Sequence, residues 1–372
     1  MPDALAPTPT PTPDPLASLR ATLAGLAATG TDDAADAFSG TVFLQRGDDV
    51  VLDEAYGFAS RRWMTPMTTA TRVDVASVTK LFTSVAVLQQ VDAGRLTLDS
   101  RLGDLLDLAG TTLSPDITVR HLLTHTSGIA DDADEEAGES YEALWEDRPS
   151  YSVTATADFL PQFAHKPPRV APGEDCRYCN VGYILAGLVL EKVTGQTFRD
   201  YVVEHVFAPL GLTAGFFDMR HAESDVAEGW DLVGEGDDGR WRLNIFSYPP
   251  IGSPDGGAHA TSRDLVRFLT AVRAGTLLSP ELTEAFFSPQ ALHHAGEDGR
   301  LDYAFGLEIE SAFADGGTVV RSISKDGINA GCSAIVRHYP AADLTIAVVA
   351  NSEDGAWAPI EAVDAYAEAL LA

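Results

Sequence analysis

Residues 73–80 of the chain read Val73-Asp74-Val75-Ala76-Ser77-Val78-Thr79-Lys80. The apolar positions that follow recur with helical spacing as far as residue 91, and Gly94 is placed to end the helix. Ser77 and Lys80 are three residues apart, so one face of this helix brings their side chains together. A lysine whose pKa is lowered can take the proton of a serine hydroxyl and make it a nucleophile. The stretch therefore predicts a helix that begins with a nucleophile and its base.

Lysine is rare in this chain, which makes its positions informative. The 25 basic residues include four lysines, namely Lys80, Lys166, Lys192 and Lys325. Arginine cannot serve as a base in proteins, whereas the proton of a lysine can be tuned by its surroundings. A Ser-x-x-Lys spacing alone arises readily by chance, but Lys80 and Lys325 both sit where the same chemistry would use a lysine.

Tyr178-Cys179-Asn180 is the one Tyr-x-Asn sequence in the chain, and it precedes a helical pattern that starts near Val181. A tyrosine hydroxyl beside cations can accept the serine proton and pass it to a leaving group. Asn180 is then available to hold Lys80 or a substrate amide. The spacing fits equally well a tyrosine that covers the core and an asparagine that caps the helix.

Lys325-Asp326-Gly327 ends a β-rich run. A cation followed by a glycine suits a strand that passes close to a substrate. Taken in isolation, the same residues favour a strand that ends in a turn with an exposed lysine.

The two ends of the chain are β-rich and its middle is not. A hairpin pattern covers residues 41–52, and three more β-rich runs cover 318–325, 333–339 and 344–350, before a helix at about 359–371. The middle, at about 95–255, is helical and loop-rich, with a clear helix at 181–193 and an acidic stretch at 131–139 that we expect to be a solvated loop. Strands at both ends imply that the termini share one sheet.

The fold class predicted from this pattern is α/β (α+β). We expect an antiparallel sheet, built from both chain ends and flanked by helices, with an inserted and mostly helical lobe. Residues 1–15 are Pro/Thr-rich and predict a disordered lead-in. Residues 16–372 then form one domain, with an α/β lobe at about 16–85 and 255–372 and a helical lobe at about 86–254. A cleft between two lobes is where a site is expected.

Composition excludes several classes of partner. The net charge of −30 repels the phosphate backbone, so nucleic acid is not expected as a partner. No apolar run is long enough to span a membrane. The start of the sequence lacks the pattern of a secretory signal, and three cysteines make no disulfide framework, so a cytoplasmic location is expected. The expected partner is a small-molecule acyl substrate, and nothing in the sequence indicates the oligomeric state.

Three cofactor-like patterns are set aside, so we expect neither a cofactor nor a metal. Residues 234–239 match Gly-x-Gly-x-x-Gly, but they lie in an acidic stretch that would repel a pyrophosphate. His121 and His125 have the spacing of a zinc helix, but its glutamate is replaced by leucine, which favours structural histidines. Cys176 and Cys179 are interpreted as buried thiols.

Taken together and in order, the three motifs resemble those of the serine β-lactamase and DD-peptidase superfamily. The likeness is closest to its class C β-lactamase and family VIII-type esterase branch, and it covers nearly the whole chain from about residue 16. Further matching stretches lie at residues 73–76, 92–96, 121–128, 209–212 and 256–265.

The resemblance implies a role for each residue of the motifs. Ser77 would be acylated, with Lys80 and Tyr178 sharing the base role. Asn180 would position the substrate, and Lys325, followed by Gly327, would stabilise the site electrostatically and meet a substrate carboxylate. The backbone N–H groups of Ser77 and Ile328 would form the oxyanion hole.

The sequence departs from that family's pattern at two positions. Asp326 stands where β-lactamases usually have Thr or Ser, and an anion there should oppose a substrate carboxylate. Cys179 replaces a small Ser or Ala between Tyr178 and Asn180. We therefore expect a serine hydrolase that acts on small esters or related acyl compounds through an acyl-enzyme. The alternatives are a D-amino-acid peptidase or amidase, a β-lactamase, and an inactive binding or sensor protein of the same fold.

Overall fold

The computed structural model describes residues 14–28, 37–234, 239–314 and 316–371. The first thirteen residues of the predicted lead-in lie outside the described residues, and helix α1 begins at Pro15. The predicted division into two lobes stays a prediction.

Among the described residues, eight strands form one antiparallel sheet in the order β2-β1-β14-β13-β12-β11-β10-β9. The N-terminal hairpin pairs with β14 from the other end of the chain, through Gly40 opposite Ala350 and Arg46 opposite Leu344. Both chain ends therefore build the same sheet, as the β-rich runs predicted. The strands are β1 Gly40–Arg46, β2 Asp49–Tyr56, β3 Phe58–Ser60, β4 Thr65–Pro66, β5 Val73–Asp74, β6 Trp230–Val233, β7 Arg240–Leu243, β8 His259–Ala260, β9 Ala291–Ala295, β10 Gly299–Tyr303, β11 Glu308–Ala314, β12 Gly317–Asn329, β13 Cys332–Tyr339 and β14 Leu344–Ala350.

Helices cover both faces of this sheet, and that is why all seven residues of β14 are buried. One face packs against the two terminal helices through side chains such as Leu23 and Val363. The other face packs against the larger core, to which Leu265 and Phe268 belong. The helices are α1 Pro15–Ala28, α2 Thr79–Asp92, α3 Leu102–Leu105, α4 Val119–Leu123, α5 Leu160–Phe163, α6 Asn180–Thr194, α7 Phe198–Val202, α8 Ala208–Leu210, α9 Ser262–Arg273, α10 Pro280–Phe286 and α11 Trp357–Ala369.

Helix α2 runs through the middle of the larger core. Its Phe82 ring packs edge-on against Phe207 at 4.8 Å and Phe268 at 4.7 Å. Polar residues of the helix, among them Lys80 and Gln90, are buried as well. The helix stops just before Gly94, which has a φ of +68° and so allows the chain to turn. The apolar spacing correctly predicted this helix, but not that its polar face would also be buried.

The middle of the chain consists mainly of short helices and loops, as predicted, with α6 as its longest helix. That helix ends at Gly195 in the left-handed conformation, again as predicted. The prediction of a solvated acidic loop was wrong at its start, because Asp131 is 8% and Asp132 is 2% exposed. Asp131 is buried because its carboxylate binds the first backbone N–H groups of α6.

None of the described helices is both long and apolar enough to cross a membrane.

Candidate active site

Ser77 lies in a 3-10 turn, Ala76–Val78, between β5 and α2. The sequence predicted that Ser77 would open the helix, whereas α2 itself begins two residues later at Thr79. Ala76 adopts a φ of +43°, and its N–H donates to Asp74 Oδ1 at 2.7 Å. This bond holds a backbone conformation that is uncommon for a residue other than glycine. The turn presents a half-buried serine hydroxyl next to a pocket.

Two predicted proton carriers reach this hydroxyl. Lys80 Nζ donates to Ser77 Oγ at 3.0 Å, and Tyr178 OH donates to the same oxygen at 2.7 Å. Lys80 comes from the first turn of α2, as the spacing of three residues predicted. Tyr178 comes from the segment just before α6, about one hundred residues later in the chain. The structure therefore brings together the three residues that the sequence put forward for catalysis.

Lys80 is fully buried, and its ammonium group donates to three uncharged oxygens. Besides Ser77 Oγ, its Nζ donates to Asn180 Oδ1 and to the backbone carbonyl of Asp255, both at 2.7 Å. Asn180 is the first residue of α6, so this helix fixes the position of the amide. The structure has the contact with Lys80 that was expected of Asn180, and its use in positioning a substrate stays a prediction.

Lys325 lies on strand β12 and is 2% exposed. Its Nζ forms ion pairs at 3.0 Å with Glu308 of β11 and with Asp326. Burial by itself lowers the pKa of Lys325, but Glu308 and Asp326 outweigh burial and raise the pKa well above its usual value. Lys325 in turn lowers the pKa of the Asp326 carboxyl. This lysine is therefore a permanent cation that faces two carboxylates.

The ring of Tyr178 lies near both lysines. Its centroid is 4.9 Å from Lys80 Nζ and 5.0 Å from Lys325 Nζ. An ammonium group at this distance is attracted to the ring and favours negative charge that develops on the phenol. The ring of Tyr178 thus contacts both Lys80 of helix α2 and Lys325 of strand β12.

Gly327 lets strand β12 pass directly against the turn that carries the serine. A Cβ at this position would lie 2.4 Å from the carbonyl oxygen of Val75 and 2.7 Å from the backbone nitrogen of Ser77. Any side chain would therefore push the strand away from the turn. Ser77 and Ile328 both line the small pocket at this place, where the oxyanion hole was predicted.

Asp131 supports the site, although it belongs to none of the three sequence motifs. Its two carboxylate oxygens accept from the backbone N–H groups of Asn180 at 2.7 Å and Val181 at 3.0 Å. Burial raises the pKa of Asp131 to about 6, although these hydrogen bonds and Lys80 act to lower it. The carboxylate comes from 49 residues earlier in the chain, so no local capping pattern could have indicated it.

The ring of His125 packs against the ring of Tyr178. Its ring centroid lies 4.7 Å from that of Tyr178, and its Nδ1 accepts the backbone N–H of Cys179 at 3.1 Å. Burial, together with the ammonium groups of Lys80 and Lys325, holds the pKa of His125 well below its usual value. The imidazole is therefore neutral and can accept this bond.

The remaining residues of the rejected cofactor patterns make ordinary structural contacts. His121 Nδ1 accepts the backbone N–H of Thr118 at 3.2 Å. Cys179 is buried, and Cys176 Sγ lies 3.7 Å from the carbonyl oxygen of Thr124. Residues 235–238 of the glycine pattern lie outside the described residues.

Known proteins resemble this chain along most of its length. The family model "Beta-lactamase" matches residues 21–371. Penicillin-binding protein 4* of Bacillus subtilis is 26% identical over 328 residues, which make up 85% of this chain and 69% of that protein. The D-aminopeptidase of Brucella anthropi is 32% identical over 209 residues, 51% of this chain and 36% of that protein.

Solved structures of penicillin-binding proteins also resemble this chain. The crystal structure of a penicillin-binding protein from Bacillus halodurans matches with a TM-score of 0.83 and 34% identity. The match covers 93% of this chain and 99% of that one. The predicted fold class is thereby confirmed.

Proposed function

The chain belongs to the β-lactamase family and is a serine hydrolase, and from this premise we propose that it hydrolyses small esters through an acyl-enzyme on Ser77. The observation that carries the proposal is the position of one hydroxyl, with Ser77 Oγ at 3.0 Å from Lys80 Nζ and 2.7 Å from Tyr178 OH. Both distances are within reach of direct proton transfer.

In the first half of the reaction, Ser77 Oγ attacks the ester carbonyl carbon, and its one proton passes to the hydrogen-bonded pair of Lys80 and Tyr178, which share the base role. The carbonyl oxygen becomes an oxyanion, which the backbone N–H groups of Ser77 and Ile328 stabilise. The bond between the carbonyl carbon and the alcohol oxygen then breaks, and Tyr178 returns the proton to the departing alcohol. Ser77 is left as an acyl ester.

In the second half, a water molecule attacks the acyl carbon while the same groups take up its proton. The bond to Ser77 Oγ breaks, the serine regains its proton and the carboxylic acid leaves. Asn180 contributes by holding Lys80 in place. Lys325 contributes a fixed positive charge near the phenol of Tyr178.

The surroundings of Lys325 favour substrates without a carboxylate next to the scissile bond. One ammonium group there faces the two carboxylates of Glu308 and Asp326, which leaves a surplus of one negative charge. A substrate carboxylate about 4 Å away would be opposed by roughly 1 to 4 kcal/mol, depending on the local dielectric. β-Lactams and peptides that end in a free carboxylate carry such a group, whereas simple esters do not.

D-Amino-acid peptides or amides are the second candidate. The D-aminopeptidase of Brucella anthropi is 32% identical over its matched part. The same surplus of negative charge beside Lys325 would suit a substrate ammonium group. An inactive sensor is the weakest alternative, because the chain retains the serine, both lysines and the tyrosine.

One panel of substrates separates these candidates. Purified protein and Ser77→Ala are each given p-nitrophenyl acetate, a D-alanyl amide and nitrocefin. We expect the unaltered protein to turn over the ester fastest and Ser77→Ala to lose that turnover by at least about 10³-fold. Turnover of the D-amide alone would move the assignment to a peptidase, and binding without turnover of any substrate would favour the sensor.

A cytoplasmic location is part of this proposal. The three cysteines are free thiols, as is common in a reducing compartment.

A further inference from the structure

Two adjoining cavities of very different size lie next to the reactive serine. The pocket that Ser77 lines has a volume of about 40 Å³, which accommodates a group of one or two heavy atoms. The second cavity has a volume of about 660 Å³, which is in the range of sites for small organic ligands. The first cavity has room for the methyl end of an acetyl group, and only the second has room for a longer chain.

The two cavities share one wall, which is formed by Asp74, Met219, Tyr248 and His259. Tyr248 is 6% exposed, and its hydroxyl is tied to Asn244 Nδ2 at 2.5 Å. The backbone of His259 is held by two hydrogen bonds with Gly215, since the N–H group of each residue donates to the carbonyl oxygen of the other. The same four residues therefore line both cavities, and two of them are fixed.

Met219 is the part of this wall that can move. Its backbone N–H is anchored on the carbonyl of Pro250 at 2.8 Å, but its side chain is unbranched, partly buried and joined only by apolar contacts to the core. Such a side chain adopts alternative rotamers at little cost. A change of the Met219 rotamer would join the two cavities without any movement of the backbone.

The larger cavity is lined by apolar groups and by acidic residues. Trp63 and Ile245, which line it, are 72% and 39% exposed, and large apolar side chains are seldom left uncovered together without a binding role. Among the described lining residues there are five carboxylates and one arginine, Arg62, which is itself paired with Glu228. The carboxylates disfavour anionic ligands, and the apolar side chains give an apolar chain a surface to pack against.

The position of Tyr178 indicates which end of the substrate lies in the small pocket that Ser77 lines. Among the described residues, neither Tyr178 nor Lys325 lines the small pocket, whereas Ser77 and Asn180 do. Tyr178 is the group that returns a proton to the leaving alcohol in the proposed reaction. The pocket therefore lies on the side of the serine away from the alcohol, which is the acyl side.

We propose that the 660 Å³ cavity is the binding site for the apolar end of a medium-length acyl chain, and that Met219 controls the entry of the chain from Ser77. The inference rests on the proposed esterase function and adds its substrate class. We expect a chain of about eight carbons to extend past Met219 and an acetyl group to stay on the side of Ser77.

The test compares kcat/KM for p-nitrophenyl octanoate and p-nitrophenyl acetate. We expect Met219→Ala, which widens the passage, to raise the octanoate-to-acetate ratio about tenfold. Ala227→Phe, which fills the larger cavity, should lower the ratio at least tenfold and leave acetate turnover within a factor of about two. Met64→Ala is the matched control, because this exposed methionine does not line the cavity among the described residues.

A binding measurement keeps the inference testable if no ester is turned over. Calorimetric titration of Ser77→Ala with octanamide should show binding at least about tenfold tighter than with acetamide, and Ala227→Phe should remove the difference. Acetate turnover with a ratio that neither variant changes would overturn the inference and leave the esterase proposal standing. A ratio that depends on the length of the alcohol and not of the acyl chain would overturn it as well.

Discussion

Lys80 and Lys325 are both buried within about 5 Å of the Tyr178 ring, but one lies on a helix and the other on a strand. Lys80 donates to a serine hydroxyl, an amide oxygen and a backbone carbonyl. Lys325 donates to two carboxylates. A lysine that donates to neutral oxygens can exchange a proton with its hydroxyl neighbour, whereas a lysine in a double ion pair retains its proton.

The carboxyl groups near the two lysines also differ, because their pKa values are shifted in opposite directions. Burial raises the pKa of Asp131 to about 6 and raises the pKa of Asp255, and the side chains of both bind groups other than Lys80. Near Lys325, the ammonium group lowers the pKa of Asp326. In the proposed reaction, the helix side of the site accordingly moves protons and the strand side supplies a constant charge.

The largest effect is expected from Lys80→Met. Removing the group that takes the serine proton should lower kcat/KM for p-nitrophenyl acetate by about 10³-fold, within the range typical of a lost general base. Lys192→Met is the matched control, because Lys192 is exposed and away from Ser77. If Lys80→Met kept more activity than Lys325→Met, the roles given to the two lysines would have to be exchanged.

Lys325→Met should have a smaller effect on rate and a clear effect on stability. We expect kcat/KM to fall by about 10- to 100-fold and the free energy of unfolding to fall by about 2 kcal/mol, since Glu308 and Asp326 lose their shared cation. Urea unfolding and ester kinetics measure the two effects. Adding Glu308→Gln should restore part of the stability and none of the activity, and restored activity would contradict a role for the positive charge.

Asp326→Thr tests whether the surplus negative charge beside Lys325 decides the substrate. Without this carboxylate, Lys325 and Glu308 balance each other and no surplus opposes an anionic substrate, so kcat/KM for nitrocefin should rise about tenfold, with little change for p-nitrophenyl acetate. Asp326→Asn removes the same charge and should act in the same direction. An unchanged preference in both variants would show that Asp326 does not select against carboxylates.

The smallest effect concerns the dependence of stability on pH. Because burial raises the pKa of Asp131 in the folded protein to about 6, its contribution to stability is fully present below its unfolded pKa near 3.8 and is lost as pH rises through 6. Asp131→Asn should therefore reduce the loss in free energy of unfolding between pH 4 and pH 7. Asp104→Asn, at an exposed position, is the control, and an equal change in both variants would contradict the assignment.

Local sequence patterns were sufficient where both partners lie close together in the sequence. Ser77 and Lys80 meet because they are one turn apart, and Gly94 and Gly195 end the helices that the apolar spacing indicated. The joining of the two chain ends in one sheet also followed from the order of the β-rich runs.

Contacts between distant elements could not be predicted in the same way. Glu308 reaches Lys325 because β11 and β12 pair in a register that places Glu308 opposite Ser324. Asp131 reaches Asn180 only after a loop has folded back over 49 residues. Neither arrangement has a local signature, since strand register and loop closure depend on the packing of the whole core. These two acidic residues therefore escaped the sequence analysis, although the lysine and asparagine that they hold did not.

The formation of an acyl-serine at residue 77 is the central claim and can be measured directly. The protein is mixed with p-nitrophenyl acetate, quenched in acid within milliseconds to seconds, and digested for peptide mass spectrometry. We predict an added acetyl group on the peptide that contains Ser77, which grows in during the burst phase and is absent from Ser77→Ala. Ester turnover by Ser77→Ala at the unaltered rate, or an acetyl group carried on a different residue during turnover, would contradict the account.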